Sequence, residues 1–324
     1  MLRILKANPI LLLVLPVLLG GTIWAWVALL PGSSSFYSDT MPMFNTFFKW
    51  ISYFPIGALV FGLAVLLLEA FTLNSFINKH SLLKQSSYLP AFFYILFCSC
   101  RHTLICFYPS LVASLFLILA VRRLAESYKK EKALSELFDA GLFIGIAALV
   151  YVPVIVFVFF LWIAVLIMRS LNWRDWIVSV IGFALPFIFA MGYFTVFYSP
   201  EHFWYDRIML AFGNYKLGLS MPWKGMLLFI CLIITAIVST WFYINRISDN
   251  ILKAQKVSVL MLWFVFFAVV SIVLSPEKNA RSFVILAMPF SYIFSNYFTK
   301  SKSKVLPEML FIFFIVTIVL SVFF

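Results

Sequence analysis

Apolar residues run almost without interruption over 9–30, 50–73, 88–100, 103–121, 137–151, 154–168, 176–197, 224–244, 257–275, 283–298 and 306–324. Between these runs the chain turns polar for a few residues, and nearly every charge sits there. About 20 apolar residues cross a bilayer core of about 30 Å as one helix, so the pattern predicts an all-α integral membrane protein with about 11 transmembrane helices. No polar stretch is long enough to fold by itself, and residues 1–324 read as a single polytopic transmembrane domain.

Two stretches need a decision. As one helix, 137–168 would be about 48 Å long, too long for the bilayer core without strong tilt. Pro153, near its middle, divides it into two short helices. Basic residues collect on the cytoplasmic side of membrane proteins, and they favour that division. With a hairpin and a cytoplasmic N-terminus, 17 Lys and Arg fall inside and seven outside; with one helix the split drops to 14 and 10. The same logic divides 88–121 at Arg101 and His102, so that Arg122, Arg123, Lys129, Lys130 and Lys132 return to the cytoplasm. The result has two short central hairpins, the N-terminus in and the C-terminus periplasmic. Pieces of 13–15 residues cover only about 20–23 Å, so they are expected to lie against longer helices and line a cavity.

Composition reinforces this picture: 64% of residues are hydrophobic and the mean hydropathy is +1.06. A net charge of +12 would suggest nucleic acid in a soluble protein, but here the basic residues are dispersed among membrane loops and no nucleic-acid partner is expected. Arg3 and Lys6 precede a run to Leu30 that is too long for a cleaved signal, so it reads as a retained first span. Trp24, Trp26, Trp173, Trp176, Trp204, Tyr205 and Trp223 fall where an interfacial aromatic belt would. Cys98, Cys100, His102 and Cys106 look like a metal cluster. On a helix, however, Cys100 points about 200° from the stripe shared by the other three, and Arg101 would oppose a cation, so no metal is expected.

The candidate chemistry lies mostly outside. The first outer loop, 31–49, holds one acid, Asp39. The longest, 198–223, holds Glu201, His202, Asp206 and Arg207 around an apolar middle that suggests an interfacial helix. The stretch SPEKNARS, 275–282, brings Glu277, Lys278 and Arg281 to the entry of a helix over 283–298. Arg101 and His102 mark the outer hairpin tip. Together these groups would supply a carboxylate for proton abstraction, and Lys and Arg for a lipid phosphate. Interfaces are also where charges cost least, so helix capping and headgroup contact explain each residue singly. Glu69 differs, being an intramembrane acid. It follows LAVLLL about one turn from the expected cytoplasmic end, near water and Lys79, where a structural role competes with ion or proton transfer. No phosphate loop, catalytic triad, HExxH or paired-cysteine motif occurs, and no cofactor is expected.

ELFDAGLFIGIAALVYVPVIVFVFFLWIAVLIMRSLNWRDWIVSVIGFALP (136–186), with LNSFINKHSLLKQSSYLPAFFYILF (73–97), resembles an uncharacterised family of bacterial polytopic inner-membrane proteins. Its members are often labelled beta-carotene monooxygenases, but the three scattered histidines here cannot build a four-histidine iron site. Asp39, the short hairpins and SPEKNARSFVILAMPFSYIF more distantly resemble the glycosyltransferase C superfamily, which uses polyprenyl-phosphate sugar donors. That resemblance implies a glycosyltransferase-C-like arrangement with Asp39 as base, and Lys278 and Arg281 on the donor phosphate. The superfamily's usual first-loop acidic pair is here the single Asp39. The function expected is therefore sugar transfer from a polyprenyl phosphate in envelope biogenesis at the bacterial inner membrane. A non-catalytic subunit or scaffold of an envelope or secretion complex is the alternative, and a transporter or lipid flippase the third.

Overall fold

A computed structural model describes residues 48–83, 87–100, 104–130, 132–169, 172–197, 252–275 and 280–300. It also describes the scattered positions 14, 17, 18, 20–22, 24, 25, 44, 239–241, 243, 308 and 312. Among these residues the fold is all-α, with no strand. Its helices are α1 (Pro55–Lys79), α2 (Leu89–Cys98), α3 (Pro109–Glu126), α4 (Leu134–Val150), α5 (Phe157–Met168), α6 (Trp173–Phe197), α7 (Leu252–Val273) and α8 (Ala287–Lys300). Three of them, α1, α6 and α7, are long and apolar enough to cross a membrane. The expected runs 9–30, 224–244 and 306–324 fall almost wholly outside the described residues.

Prolines set several boundaries. Pro55, Pro90 and Pro109 occupy the first turns of α1, α2 and α3, where a missing N–H costs nothing. Pro153 sits in a 3-10 turn, Val152–Val156, that separates α4 from α5. The chain reverses there. At the far end of α5, Arg169 donates to the Lys130 carbonyl, just before α4, at 2.6 Å. The stretch 137–168 is thus two helices folded back on each other. Other boundaries move by nearly two turns: α1 runs on to Lys79 rather than stopping at 73, and α3 begins at Pro109 rather than 103.

Because α5 returns the chain, α4 and α6 run parallel, and they pack with unusual closeness. Phe138 meets Gly182, Gly141 meets Ser179, and Gly145 meets Phe183 and Pro186. A Cβ on Gly141 would lie 2.2 Å from the Ser179 carbonyl oxygen, so only glycine allows the approach. Gly141 and Gly145 form the small-xxx-small spacing that membrane helices use for backbone contact.

The short α2 is buried at all ten residues and packs against α1 and α8. Phe93 stacks on Phe298 at 5.1 Å and Phe97 meets Phe294 at 5.2 Å, so α8 runs antiparallel to α2. Phe157 and Phe160 of α5 close on Phe264 of α7 at 4.9 and 5.5 Å. Interlocking rings of this kind add to the cohesion between the helices.

Candidate functional site

The two ends of this bundle are chemically unlike. At one end gather Lys79, Arg122, Arg123, Lys129, Lys130, Lys132, Arg169, Arg174, Lys253 and Lys256, with Glu126, Glu136, Asp139 and Asp175. Glu126 accepts from Lys79 at 3.0 Å, Arg122 at 3.4 Å and Arg123 at 3.2 Å, and Arg123 reaches on to Asp139 at 3.2 Å. Burial pushes the Glu126 carboxyl up, but its bonds to Lys79 and Arg122 outweigh that and hold it below its usual range. The same balance holds Glu136 low: burial raises it and the hydrogen bond from Lys130 lowers it further.

The other end is tied by hydroxyls. Tyr151, in the break between α4 and α5, lies 3.0 Å from the Ser275 hydroxyl and 3.1 Å from that of Ser282, and the two serines are 3.2 Å apart. They clamp both ends of the SPEKNARS stretch. Within it, the Arg281 carbonyl accepts from Ser110 at 2.8 Å, and its guanidinium hydrogen-bonds the Cys106 sulfur. Arg281 belongs to a 3-10 turn, Ala280–Leu286, and α8 starts only at Ala287. The α-helix expected over 283–298 therefore starts four residues later, and Arg281 lies in the 3-10 turn that precedes it.

Below Arg281 lies a buried polar column. Ser110 and Ser114 share one face of α3, about one turn or 6 Å apart. Ser110 holds Arg281, while Ser114 donates to Glu69 at 2.7 Å. The other Glu69 oxygen accepts from the Tyr94 hydroxyl at 2.9 Å. Glu69 itself is 0% exposed. It is not near the end of its helix, as expected, but ten residues or about 15 Å from Lys79, whose own partner is Glu126. Tyr108, at the head of α3, is within electrostatic reach of Glu69, Cys98, Cys106 and Arg281, and its buried hydroxyl has no hydrogen-bond partner among the described residues.

Of the expected site residues, Arg281 and Glu69 are therefore linked through α3. Asp39, Lys278, Glu201, His202, Asp206, Arg207, Arg101 and His102 lie outside the described residues. Cys98, Cys100 and Cys106 are buried. Sequence reasoning missed Tyr94, Tyr108, Ser110, Ser114 and Tyr151. The i, i+4 spacing of the two serines, in an otherwise apolar helix, was the available signal.

A family model matches residues 46–324, across all the elements that build the column. The chain belongs to the family of unknown function DUF6427. No curated protein and no solved structure matches it. Membership in DUF6427 brings no activity with it, so function has to be argued from the residues themselves.

Proposed function

We propose that this is a multi-pass protein of the bacterial inner membrane, N-terminus cytoplasmic and C-terminus periplasmic, that transfers a sugar from a polyprenyl-phosphate donor during envelope biogenesis. The observation that carries the reading is the clamped SPEKNARS stretch, which holds Arg281 half-buried at the end of the bundle away from the basic cluster. A guanidinium held at that depth suits a lipid phosphate. In the reaction, Asp39 takes the proton from an acceptor hydroxyl, whose oxygen attacks the anomeric carbon of the donor sugar. The bond from that carbon to the phosphate oxygen breaks, and Arg281 with Lys278 stabilises the leaving phosphate. Glu201, His202, Asp206, Arg207, Arg101 and His102 would line the acceptor side of the same periplasmic cavity, with a glycosyltransferase-C-like arrangement of helices around it.

Lipid mass spectrometry on a deletion strain tests this, with complementation by wild type, Asp39→Asn or Arg281→Ala. The expected result is a polyprenyl-phosphate sugar that accumulates in the deletion and is cleared by wild type but by neither variant. An unchanged lipid profile in every strain would overturn sugar transfer and favour a non-catalytic subunit of an envelope or secretion complex, to be pursued by co-purification of its partner. Glu69 supports a different second reading, a transporter or flippase, because a carboxyl buried in mid-helix with no cation beside it among the described residues suits coupling to ion or proton movement.

A further inference from the structure

Glu69 has no part in sugar transfer, yet it is the most deeply buried acid among the described residues. Among the described residues it is faced by Tyr94 and Cys98 from α2, Ser114 from α3 and Tyr108 at the head of α3, none of them a cation. The other buried acids differ: Asp175 is paired with Arg169, and Glu136 with Lys130. A carboxylate without a cation is costly in apolar surroundings, so the neutral acid is the form this pocket can hold at rest.

Ser114 suits both charge states. Its Oγ lies 2.7 Å from Glu69 Oε1 and 2.7 Å from the Leu111 carbonyl oxygen, and its single hydrogen serves one of them at a time. With Glu69 ionised, Ser114 and Tyr94 each donate to one carboxylate oxygen. With Glu69 neutral, the acid donates to Ser114, the Ser114 hydrogen turns to Leu111, and Tyr94 goes on donating at 2.9 Å. Neither state strands a hydrogen. The Tyr108 hydroxyl, buried and without a hydrogen-bond partner among the described residues, adds an independent sign, since such an atom marks a place for ordered water.

We propose that Glu69 is a proton-exchange site within the bundle, with Ser114 as its rotating partner, Tyr94 as its fixed donor and Tyr108 on the route toward the Arg281 end. The carboxylic acid gives its proton to a water beside Tyr108, leaving carboxylate and hydronium, and recovers it by the reverse step. The ligand is a proton exchanged with water.

Infrared difference spectroscopy tests this on the full chain in lipid nanodiscs, as pH is stepped through neutrality and back in H2O and in D2O. The expected signal is a protonated-acid carbonyl band that vanishes reversibly at high pH, shifts on deuteration and is lost in Glu69→Gln. A Glu69 band that ignores both pH and D2O, or no such band, would overturn the proposal. Ser114→Ala keeps the acid and covers the case in which Glu69→Gln does not fold. It should move the band and its midpoint pH, and a wild-type midpoint would rule out the rotor. Tyr108→Phe should slow deuteration while leaving the band in place, and wild-type exchange would remove Tyr108 from the route.

Discussion

Glu126 and Glu69 are the same side chain held in opposite ways. At the basic end, Glu126 is surrounded by Lys79, Arg122 and Arg123 at 3.0–3.4 Å, and full cations fix its charge. In the core, the side chains that bond Glu69 among the described residues are the hydroxyls of Tyr94 and Ser114, with no cation. The difference shows how the two regions handle polarity. Where water and cations are near, an acid stays ionised and each contact is worth little; where they are absent, neutral donors leave its charge free to change.

The largest effect is expected where the basic end behaves like the core. Asp175 is 1% exposed and accepts from Arg169 at 2.6 Å, so Arg169→Ala leaves a buried charge without its partner. A loss of about 3 kcal/mol or more is expected, read as a fall in thermal stability in detergent. A loss below about 1 kcal/mol would put this pair with the exposed ones. Packing comes next. Gly141→Ala pushes α4 away from the Ser179 carbonyl and should cost about 1–3 kcal/mol, while the same change at Gly192, which faces open space, should cost nothing similar.

Glu69→Ala leaves the Tyr94 hydroxyl with only its long 3.4 Å contact to Ser114 and is expected to cost about 1–3 kcal/mol. Glu69→Gln, which can still accept from Tyr94 and donate to Ser114, should cost much less. Equal losses would mean that the core needs the negative charge and that the contrast with Glu126 is wrong. The smallest effect belongs to Lys79→Ala: under about 1 kcal/mol, and shrinking as salt is added.

Acid should weaken the basic end in a defined window. Burial, and then the charge of Lys253, lower the His80 imidazole from 6.5 to about 4, so it stays neutral in the fold. The unfolded chain binds that proton first on acidification. The stability from a neutral His80 is therefore complete above about pH 6.5 and lost as pH falls toward about 4. Glu126, held below its usual range, acts in the same direction at lower pH, its contribution fading as the carboxyl protonates. Melting temperatures of wild type and His80→Gln across that range check this, with the variant expected to lose the upper part of the decline.

Composition and local pattern define the class and the grain of this molecule. Apolar runs too long for ordinary cores require helices, and Pro153 together with the basic residues on either side of 137–168 predicted the reversal that the Arg169 to Lys130 bond displays. Those signals are local: they depend on composition, on proline and on charge counts. Tertiary structure decided where the polar atoms meet. Helix periodicity places Ser110 and Ser114 on one stripe, but nothing local says that the stripe faces Glu69 and Arg281, residues 45 and 171 positions away in sequence from their serine partners. Nor does the order of residues reveal that α1 continues to Lys79, which puts Glu69 near the middle of its helix and gives Lys79 to Glu126. A buried acid takes its character from what surrounds it, and only packing supplies the surroundings.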